Sequence, residues 1–174
     1  MNLFRSEEHI TRWLLARPPG ITLGVTKLSE LAQKKAGIKG KPILGANLDP
    51  SHLFWQGCDP VLAARQLGEA GLLFHVHAKD TELDRHQGPL NGYLDAKPYS
   101  DLKGRAWNFR ACGWGHGTDF WRPFISMLRR HGYDHVLSIE HEDALMSIEE
   151  GLERAAAFLA EAIISEPAAK PWWC

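Results

Sequence analysis

Hydrophobic and polar positions alternate along the chain between strand-like runs and amphipathic helical segments. Apolar runs predict three strands, at 42–49, 71–80 and 135–143. Apolar residues at a spacing of about 3.6 predict helices at 60–68, from a cap at Thr118 or Asp119 to Gly132, and from Ser147 to about Ile164. Strands that alternate with helices imply right-handed βαβ units and a parallel sheet, so the predicted fold class is α/β.

Three further segments complete the predicted organisation. The amino-terminal 40 residues contain a helix at 6–16, a short strand at 21–25 and a helix at 27–37. Residues 81–117 are rich in glycine and carry scattered aromatic side chains. A connection of this length usually has a function, so the segment is predicted to be a loop that covers a site. Residues 166–174 form an irregular tail.

Charge collects where the predicted strands end. The stretches FHVHAKD at 74–80 and LSIEHED at 137–143 both begin as buried strands and then fill with histidine, lysine and carboxylates. Asp49 and His52 follow the first strand in the same way. Parallel strands bring their carboxyl ends to one edge of a sheet, where ligands bind in such folds, so these side chains are expected to converge.

Each of these residues also has a purely structural interpretation. Strand alternation places His75, His77 and Lys79 on one side, although a single histidine there is as easily a core residue bonded to backbone. Asp49 alone is as easily the cap of the following turn. Glu140 needs a partner, because an unpaired carboxylate inside a strand is costly. Carboxylates with an imidazole suit Mn²⁺, Mg²⁺, Co²⁺ or Zn²⁺, and a structural ion-pair network is the competing interpretation.

Composition restricts the partners and the compartment. The 174 residues carry a formal net charge of −1, from 20 basic and 21 acidic side chains, without a block of like charge. Neither a nucleic acid nor a membrane surface is therefore expected as a partner. Three widely spaced cysteines without a CxxC pair fit free thiols, and no apolar stretch reaches the roughly 20 residues that span a bilayer. These features predict a cytoplasmic protein.

Four stretches of the chain together resemble a known family. GANLDPSHLFWQGCDP, FHVHAKDTELD, WNFRACGWGHGTDFW and VLSIEHEDALMSIEEGLERAAAFL look like the carboxyl-terminal half of the sugar phosphate isomerase/epimerase family, the xylose isomerase-like TIM barrels. The resemblance covers about residues 42–165. It implies a (β/α)₈ barrel with a divalent metal held by Glu, Asp, His and Glu from the last four strands. It further implies that Asp49, His77 and Glu140 are three of these ligands.

The resemblance also implies an activity and the residues that perform it. An intact relative removes a proton beside a carbonyl, and a metal stabilises the resulting enediolate. The expected substrate is a small sugar or sugar phosphate. Glu140 and Lys79 are the implied catalytic residues. The implied substrate-binding residues are His52, His75, Arg110 and His116.

The chain departs from the family pattern near its amino terminus. An eight-stranded barrel typically needs about 250 residues, whereas only about 40 precede the counterpart of the sixth strand here. Residues 1–40 are therefore expected to be divergent, and 41–165 to form the last three to four strands of a truncated TIM barrel. Aligning RPPG at 17–20 with the end of the family's fifth strand puts Ala16 where a glutamate ligand belongs. Impaired metal binding and activity are expected.

Other functions stay open at this point. A metal-dependent lyase or hydrolase on the same barrel, such as an inosose dehydratase, would use similar residues. A nuclease of the endonuclease IV type needs a richer histidine set and a basic face, which the near-neutral charge disfavours. The third hypothesis is a non-catalytic fragment that folds by pairing with another chain, because strands cut from a barrel expose two edges. A homo-oligomer is compatible with all three.

Overall fold

The computed structural model describes residues 45–167 and 172–173. The elements, in chain order, are β1 (Ala46–Leu48), α1 (Pro50–Phe54), α2 (Pro60–Glu69), β2 (Leu73–Ala78), β3 (Asp80–Leu83), α3 (Gln87–Asn91), β4 (Trp107–Arg110), α4 (Thr118–Arg130), β5 (Leu137–Ile139) and α5 (Ile148–Ala162). The predicted elements before residue 40, the proposed boundary there and Ala16 lie outside the described residues.

A three-stranded parallel sheet lies at the centre of the described residues, in the order β1, β2, β5. Val76 of β2 pairs with Leu48 of β1 on one side and with Leu137 of β5 on the other. The predicted α/β fold with parallel strands is confirmed. Within the described part of the chain the strands do not close into a barrel, which is consistent with a partial TIM barrel.

The main core forms between this sheet and the helices. Alternation along β2 buries Val76 and Ala78 completely. Trp121 and Phe124 from α4 and Leu159 from α5 belong to the same buried cluster. Burying each large apolar side chain contributes about 1.5–3 kcal/mol to the free energy of unfolding, so this face of the sheet is held firmly. His75 and His77, which flank Val76 in the sequence, are only partly buried.

The segment predicted to be a loop at 81–117 contains regular structure instead, which corrects that prediction. β3 and β4 form an antiparallel pair in which Asp80 lies opposite Arg110. In the sequence, α3 lies between the two strands. The strand predicted at 71–80 is also two strands, because β2 ends at Ala78 and β3 starts two residues later. A short polar strand whose partner lies far along the chain has no clear local pattern, which explains the wrong prediction.

The β3 and β4 pair has an apolar cluster of its own. Trp107 and Phe109 from β4 are buried in it, and Trp55 and Tyr93 pack against them. The rings of Trp55 and Trp107 stack with centroids 5.0 Å apart. This cluster fixes the position of Phe109, whose ring lies beside two residues of the candidate site described below.

The helix ends agree with local capping chemistry at two of the three predicted helices that lie in the described part of the chain. Asp59 accepts hydrogen bonds from the Val61 and Leu62 amides at the start of α2, and Ser147 accepts one from the Glu150 amide at the start of α5. By contrast, α4 follows Gly117, and neither of the two predicted caps acts as one, since both lie inside the helix. α5 ends at Ala162, slightly before the predicted end.

Two expectations from composition are tested in the described part of the chain. Cys58 is an exposed free thiol and Cys112 a buried one, whereas Cys174 lies outside the described residues. None of the described helices combines the length and the apolar character that crossing a bilayer requires. The cytoplasmic location and the homo-oligomer stay predictions.

Candidate metal centre

Each strand of the parallel sheet brings one candidate ligand to the same edge. Asp49 directly follows β1, His77 lies near the end of β2, and Glu140 directly follows β5. One ligand atom from each residue lies within 4.8 Å of the other two. His77 Nδ1 is 2.8 Å from Glu140 Oε2 and 3.4 Å from Asp49 Oδ2. The three residues that the resemblance implied as ligands are therefore brought together; they are called the triad below.

Neighbouring side chains hold the triad in place. Asp49 Oδ1 accepts hydrogen bonds from the Ser51 amide at 3.0 Å and the Ser51 hydroxyl at 2.6 Å. Asp49 thus caps α1 with one oxygen and turns the other towards His77, so its role as a cap leaves the second oxygen facing the triad. The side-chain amide of Asn47 lies 3.0 Å from His77 Nε2.

The chemistry of the triad fits a divalent ion. Two carboxylate oxygens that lie this close repel each other unless a cation lies between them. A protonated His77 is one such cation, and a divalent ion bound by all three residues is another. Two carboxylates and an imidazole form a mixed oxygen and nitrogen set that suits Mn²⁺, Co²⁺ or Zn²⁺, and three protein ligands leave positions for water or substrate.

Lys79 is a buried cation beside the triad. It is 2% exposed, it donates a hydrogen bond to Glu142, and its Nζ lies 3.6 Å from Glu140 Oε2. The same ammonium lies 3.9 Å from the centroid of the Phe109 ring. A buried charge is tolerated only with such partners, so Lys79 holds Glu140 and Glu142 in fixed positions.

His52 and His75 each lie next to one member of the triad, His52 next to Asp49 and His75 next to His77. His52 Nε2 is 3.5 Å from Asp49 Oδ2, and its ring meets Phe109 edge-on at 5.3 Å between centroids. His75 Nε2 is 2.8 Å from the Ser138 hydroxyl, and its ring centroid lies 5.7 Å from that of His77. Two of the three predicted substrate-binding histidines are thus next to the triad.

His116 is held elsewhere. Its Nδ1 is 2.8 Å from Asp80 Oδ1, and its ring stacks on Phe54 with centroids 3.7 Å apart. These contacts tie the loop before α4 to the start of β3 and to α1. They favour a structural role for His116 over the predicted substrate contact.

Arg110 is bound by two carboxylates. Its Nε donates to Asp143 at 2.9 Å and its guanidinium donates to Glu82 at 2.5 Å. Burial lowers the pKa of Arg110, but the two carboxylates outweigh it and the pKa is raised. For Asp143 burial acts to raise the pKa. Hydrogen bonds from the Ala111 and Leu145 amides and from Arg110 outweigh the effect of burial, and the pKa of Asp143 is lowered. The pair is therefore ionised.

A cavity of about 630 Å³ lies beside the contacts of Lys79, and none of the three triad residues lines it. Phe109 and Glu142, which both contact Lys79, line it, and so does Arg110. Lys79 therefore lies between the triad and the cavity. Tyr99 and Lys103 also line the cavity.

Asp80 is the main residue that sequence reasoning missed. It is completely buried and accepts hydrogen bonds from the amides of Gly113, Gly115 and His116 and from the Trp121 indole. It thereby anchors the loop before α4 to the start of β3. The sequence marked Asp80 only as a polar residue at a strand end, because its donors lie far along the chain. Asn47 was missed for the same reason, because its partner His77 lies 30 residues further along, whereas Ser51 contacts Asp49 only two residues away and was missed although the contact is local.

Comparison with known proteins agrees with the fold and the candidate site. A profile of the family described as xylose isomerase-like TIM barrel matches residues 17–162. The chain belongs to this family, which includes sugar isomerases, epimerases and other enzymes, binds small-molecule sugar substrates and often uses divalent metals. The resemblance found in the sequence is thereby confirmed, and the matched range begins earlier than residue 42, where the resemblance began.

A curated protein is also similar to this chain. It is the Uncharacterized protein YfiH of Bacillus subtilis (strain 168), which is 43% identical over 122 residues. The aligned region covers 70% of this chain and 38% of that protein. The matched part of the chain thus spans well under half the length of this relative.

Proposed function

We propose that this chain carries the metal-binding part of an isomerase or epimerase that moves a proton beside the carbonyl of a sugar or a related polyol. The observation that supports this proposal most is the convergence of Asp49, His77 and Glu140 at the carboxyl edge of the parallel sheet. Ligand sites of TIM barrels lie at this edge, and the family includes enzymes of this class.

Asp49, His77 and Glu140 would hold Mn²⁺, Mg²⁺, Co²⁺ or Zn²⁺. When bound, the ion would act as a Lewis acid that stabilises negative charge on substrate oxygens. His52 is well placed to donate a hydrogen bond to a substrate hydroxyl, because it lies beside Asp49 with about half of its side chain exposed.

Glu140 is the proposed proton acceptor. Its side chain is 39% exposed, so a substrate can reach it, while His77 and Lys79 contact one of its oxygens. Lys79 is the proposed second catalytic residue, since its ammonium holds Glu140 and balances negative charge that develops nearby. General acid or base catalysis by one positioned group commonly accelerates a reaction by about 10²–10⁴-fold.

The metal site is tested by Mn²⁺ titration calorimetry on the purified chain and its variants. We expect binding of one ion per chain, and loss of most of the affinity in Asp49→Ala, His77→Ala and Glu140→Ala. Glu150→Ala is the matched control, because Glu150 pairs with Arg154 on the exposed face of α5. Metal binding that survives all three triad changes unaltered would place the site elsewhere.

The reaction is tested by following exchange of the proton beside the carbonyl with deuterium in a panel of ketoses. With Mn²⁺ present we expect exchange and formation of the isomer or epimer, reduced about 10²–10⁴-fold in Glu140→Gln and in Lys79→Met. Release of a dehydrated product would instead assign the chain to the lyases of the same barrel.

A further inference from the structure

Thr81 is connected to the triad by a short chain of hydrogen bonds. Its hydroxyl donates to the Ser51 carbonyl at 2.7 Å, and the Ser51 hydroxyl and amide both donate to Asp49 Oδ1. We propose that Thr81 is a positioning residue of the metal centre, which fixes the start of α1 and thereby keeps Asp49 Oδ2 turned towards His77. The inference rests on the proposed function, because it adds a residue to the same centre.

α1 is too short to hold its own start in place. It spans five residues, and isolated helices of fewer than about 12 residues are only marginally stable in water. The start of α1 must therefore be fixed by contacts with the rest of the fold. Ser51 and Thr81 are both completely buried, so the hydrogen bond between them is shielded from water. This bond connects the start of α1 to β3.

Thr81 is itself held by three contacts. In β3 it lies opposite Phe109 of β4. Its amide donates to Asp80 Oδ1 at 2.8 Å, and Asp80 accepts further hydrogen bonds from the loop before α4. The Thr81 carbonyl packs against Gly115 so closely that a Cβ added to Gly115 would be 2.4 Å from the carbonyl oxygen. A residue that is fixed in this way can anchor its neighbours.

The anchor serves two residues of the candidate site. Asp49 Oδ1 is bound to Ser51, and Asp49 Oδ2 lies 3.4 Å from His77 Nδ1. His52 follows Ser51 directly in α1, and its Nε2 lies 3.5 Å from the same Asp49 oxygen. A shift at the start of α1 would therefore move both a carboxylate ligand and a neighbouring imidazole. Loss of a partner that orients a metal ligand typically lowers metal affinity about 10–100-fold.

Two substitutions of Thr81 separate positioning from packing. Thr81→Val keeps the shape of the side chain and removes the hydroxyl, whereas Thr81→Ser keeps the hydroxyl. In Mn²⁺ titration calorimetry we expect the affinity to fall about 10–100-fold in Thr81→Val and to stay near the native value in Thr81→Ser. The visible absorption spectrum of the Co²⁺-loaded chain, which reports the arrangement of the ligands, should change in Thr81→Val only. Thr118→Val is the matched control, since it makes the same exchange at the first residue of α4.

A double-mutant cycle tests the route through Ser51. Ser51→Ala removes one of the two Ser51 donors to Asp49 Oδ1 and keeps the amide. Because Thr81 acts through Ser51, the double variant should lose less Mn²⁺ affinity than the product of the two single losses. Single losses that multiply as independent effects would overturn the inference.

Urea unfolding of the same variants without metal measures the purely structural effect of the hydroxyl. A buried hydrogen bond also supports the fold, so Thr81→Val is expected to be less stable than the native chain. A Thr81→Val chain that is less stable but keeps the native Mn²⁺ affinity and Co²⁺ spectrum would show that the hydroxyl only supports the fold. That result would overturn the inference while the metal centre stands.

A metal-free measurement separates this inference from the proposed function. Failure of Mn²⁺ binding in the native chain would contradict the proposed function itself. The NMR signals of the His52 and His77 rings in the metal-free chain still report whether Thr81 positions Asp49, because both rings lie beside its Oδ2. Signals that change in Thr81→Val and return in Thr81→Ser support the inference, and signals that stay unchanged in Thr81→Val overturn it.

Discussion

His77 has a different neighbour at each nitrogen of its ring. Nδ1 faces the carboxylates of Asp49 and Glu140, whereas Nε2 faces the side-chain amide of Asn47 at 3.0 Å. A metal ligand must offer a nitrogen without a proton, so metal binding at Nδ1 places the ring proton on Nε2. Asn47 can accept that proton in a hydrogen bond by turning its amide oxygen towards the ring. We therefore expect Asn47 to fix the tautomer that binds metal.

Replacement of Asn47 by leucine tests this expectation. The substitution keeps the size of the side chain but removes the acceptor, and loss of such outer contacts typically lowers metal affinity about 10–100-fold. We expect this decrease in a Mn²⁺ titration of Asn47→Leu, whereas Asn47→Asp, which keeps an acceptor, should retain binding. Asn91→Leu is the control, since the Asn91 amide donates to Gln87 in α3. An unchanged affinity in Asn47→Leu would contradict the assigned role.

Residues differ in how far the sequence predicts their place in the site. The triad could be predicted, because each of its members ends a parallel strand and topology alone brings strand ends together. Asp80 also stands at a strand end, but alternation turns it to the other side, and its hydrogen bonds depend on a loop more than 30 residues further along. The partners of Arg110 were likewise invisible, since Asp143 comes from another strand end and Glu82 from the opposite strand.

Among the elements, helices were predicted better than the β3 and β4 pair. Caps such as Asp59 and Ser147 and the apolar stripe of a helix are local signals. Pairing of β3 with β4 instead depends on the burial of Trp107 and Phe109 against distant side chains. Once the pair has formed, Arg110 of β4 binds Asp143 in the segment after β5. This ion pair makes the stability of the β3 and β4 pair depend on pH.

The contact between β4 and the segment after β5 predicts a loss of stability in acid. The pKa of Asp143 is lowered in the folded state, so its contribution is present above the unfolded pKa, about 3.9, and is lost as the pH falls through the folded value. Asp143→Asn should cost about 1–3 kcal/mol at pH 7, because it removes the charge that binds the buried Arg110. It should also make stability depend less on pH below about 4.

Urea unfolding of the native chain and of Asp143→Asn across a series of pH values measures both effects. Asp101→Asn is the control, because Asp101 is exposed and its side chain bonds only within its own turn among the described contacts. The native chain should be more stable than Asp143→Asn at neutral pH, and its free energy of unfolding should fall more steeply in acid. Both differences have the same cause, so Asp143→Asn should lose both features together. A variant that keeps the acid slope of the native chain would show that another carboxylate causes it.

At the scale of the whole molecule, the proposed metal centre would link the three strands of the described parallel sheet. Each strand supplies one triad residue, and in the described sheet β1 and β5 pair with β2 alone. An unfolded chain scatters these residues, so an ion that needs all three binds only the folded sheet. Binding must then raise the free energy of unfolding by mass action. Pairing with a further chain at the sheet edges stays a prediction, which analytical ultracentrifugation would test.

Stability with and without Mn²⁺ is therefore a measure of the site that requires no substrate. At a free Mn²⁺ concentration 100 times the dissociation constant, the free energy of unfolding should rise by about 2.7 kcal/mol, and EDTA should reverse the gain. Glu140→Ala should abolish the gain, whereas Glu150→Ala should keep it. An equal gain in Glu140→Ala and in the native chain would mean that the ion binds outside the triad. A gain confined to chains with an intact triad would mean that metal binding and the parallel sheet stabilise each other.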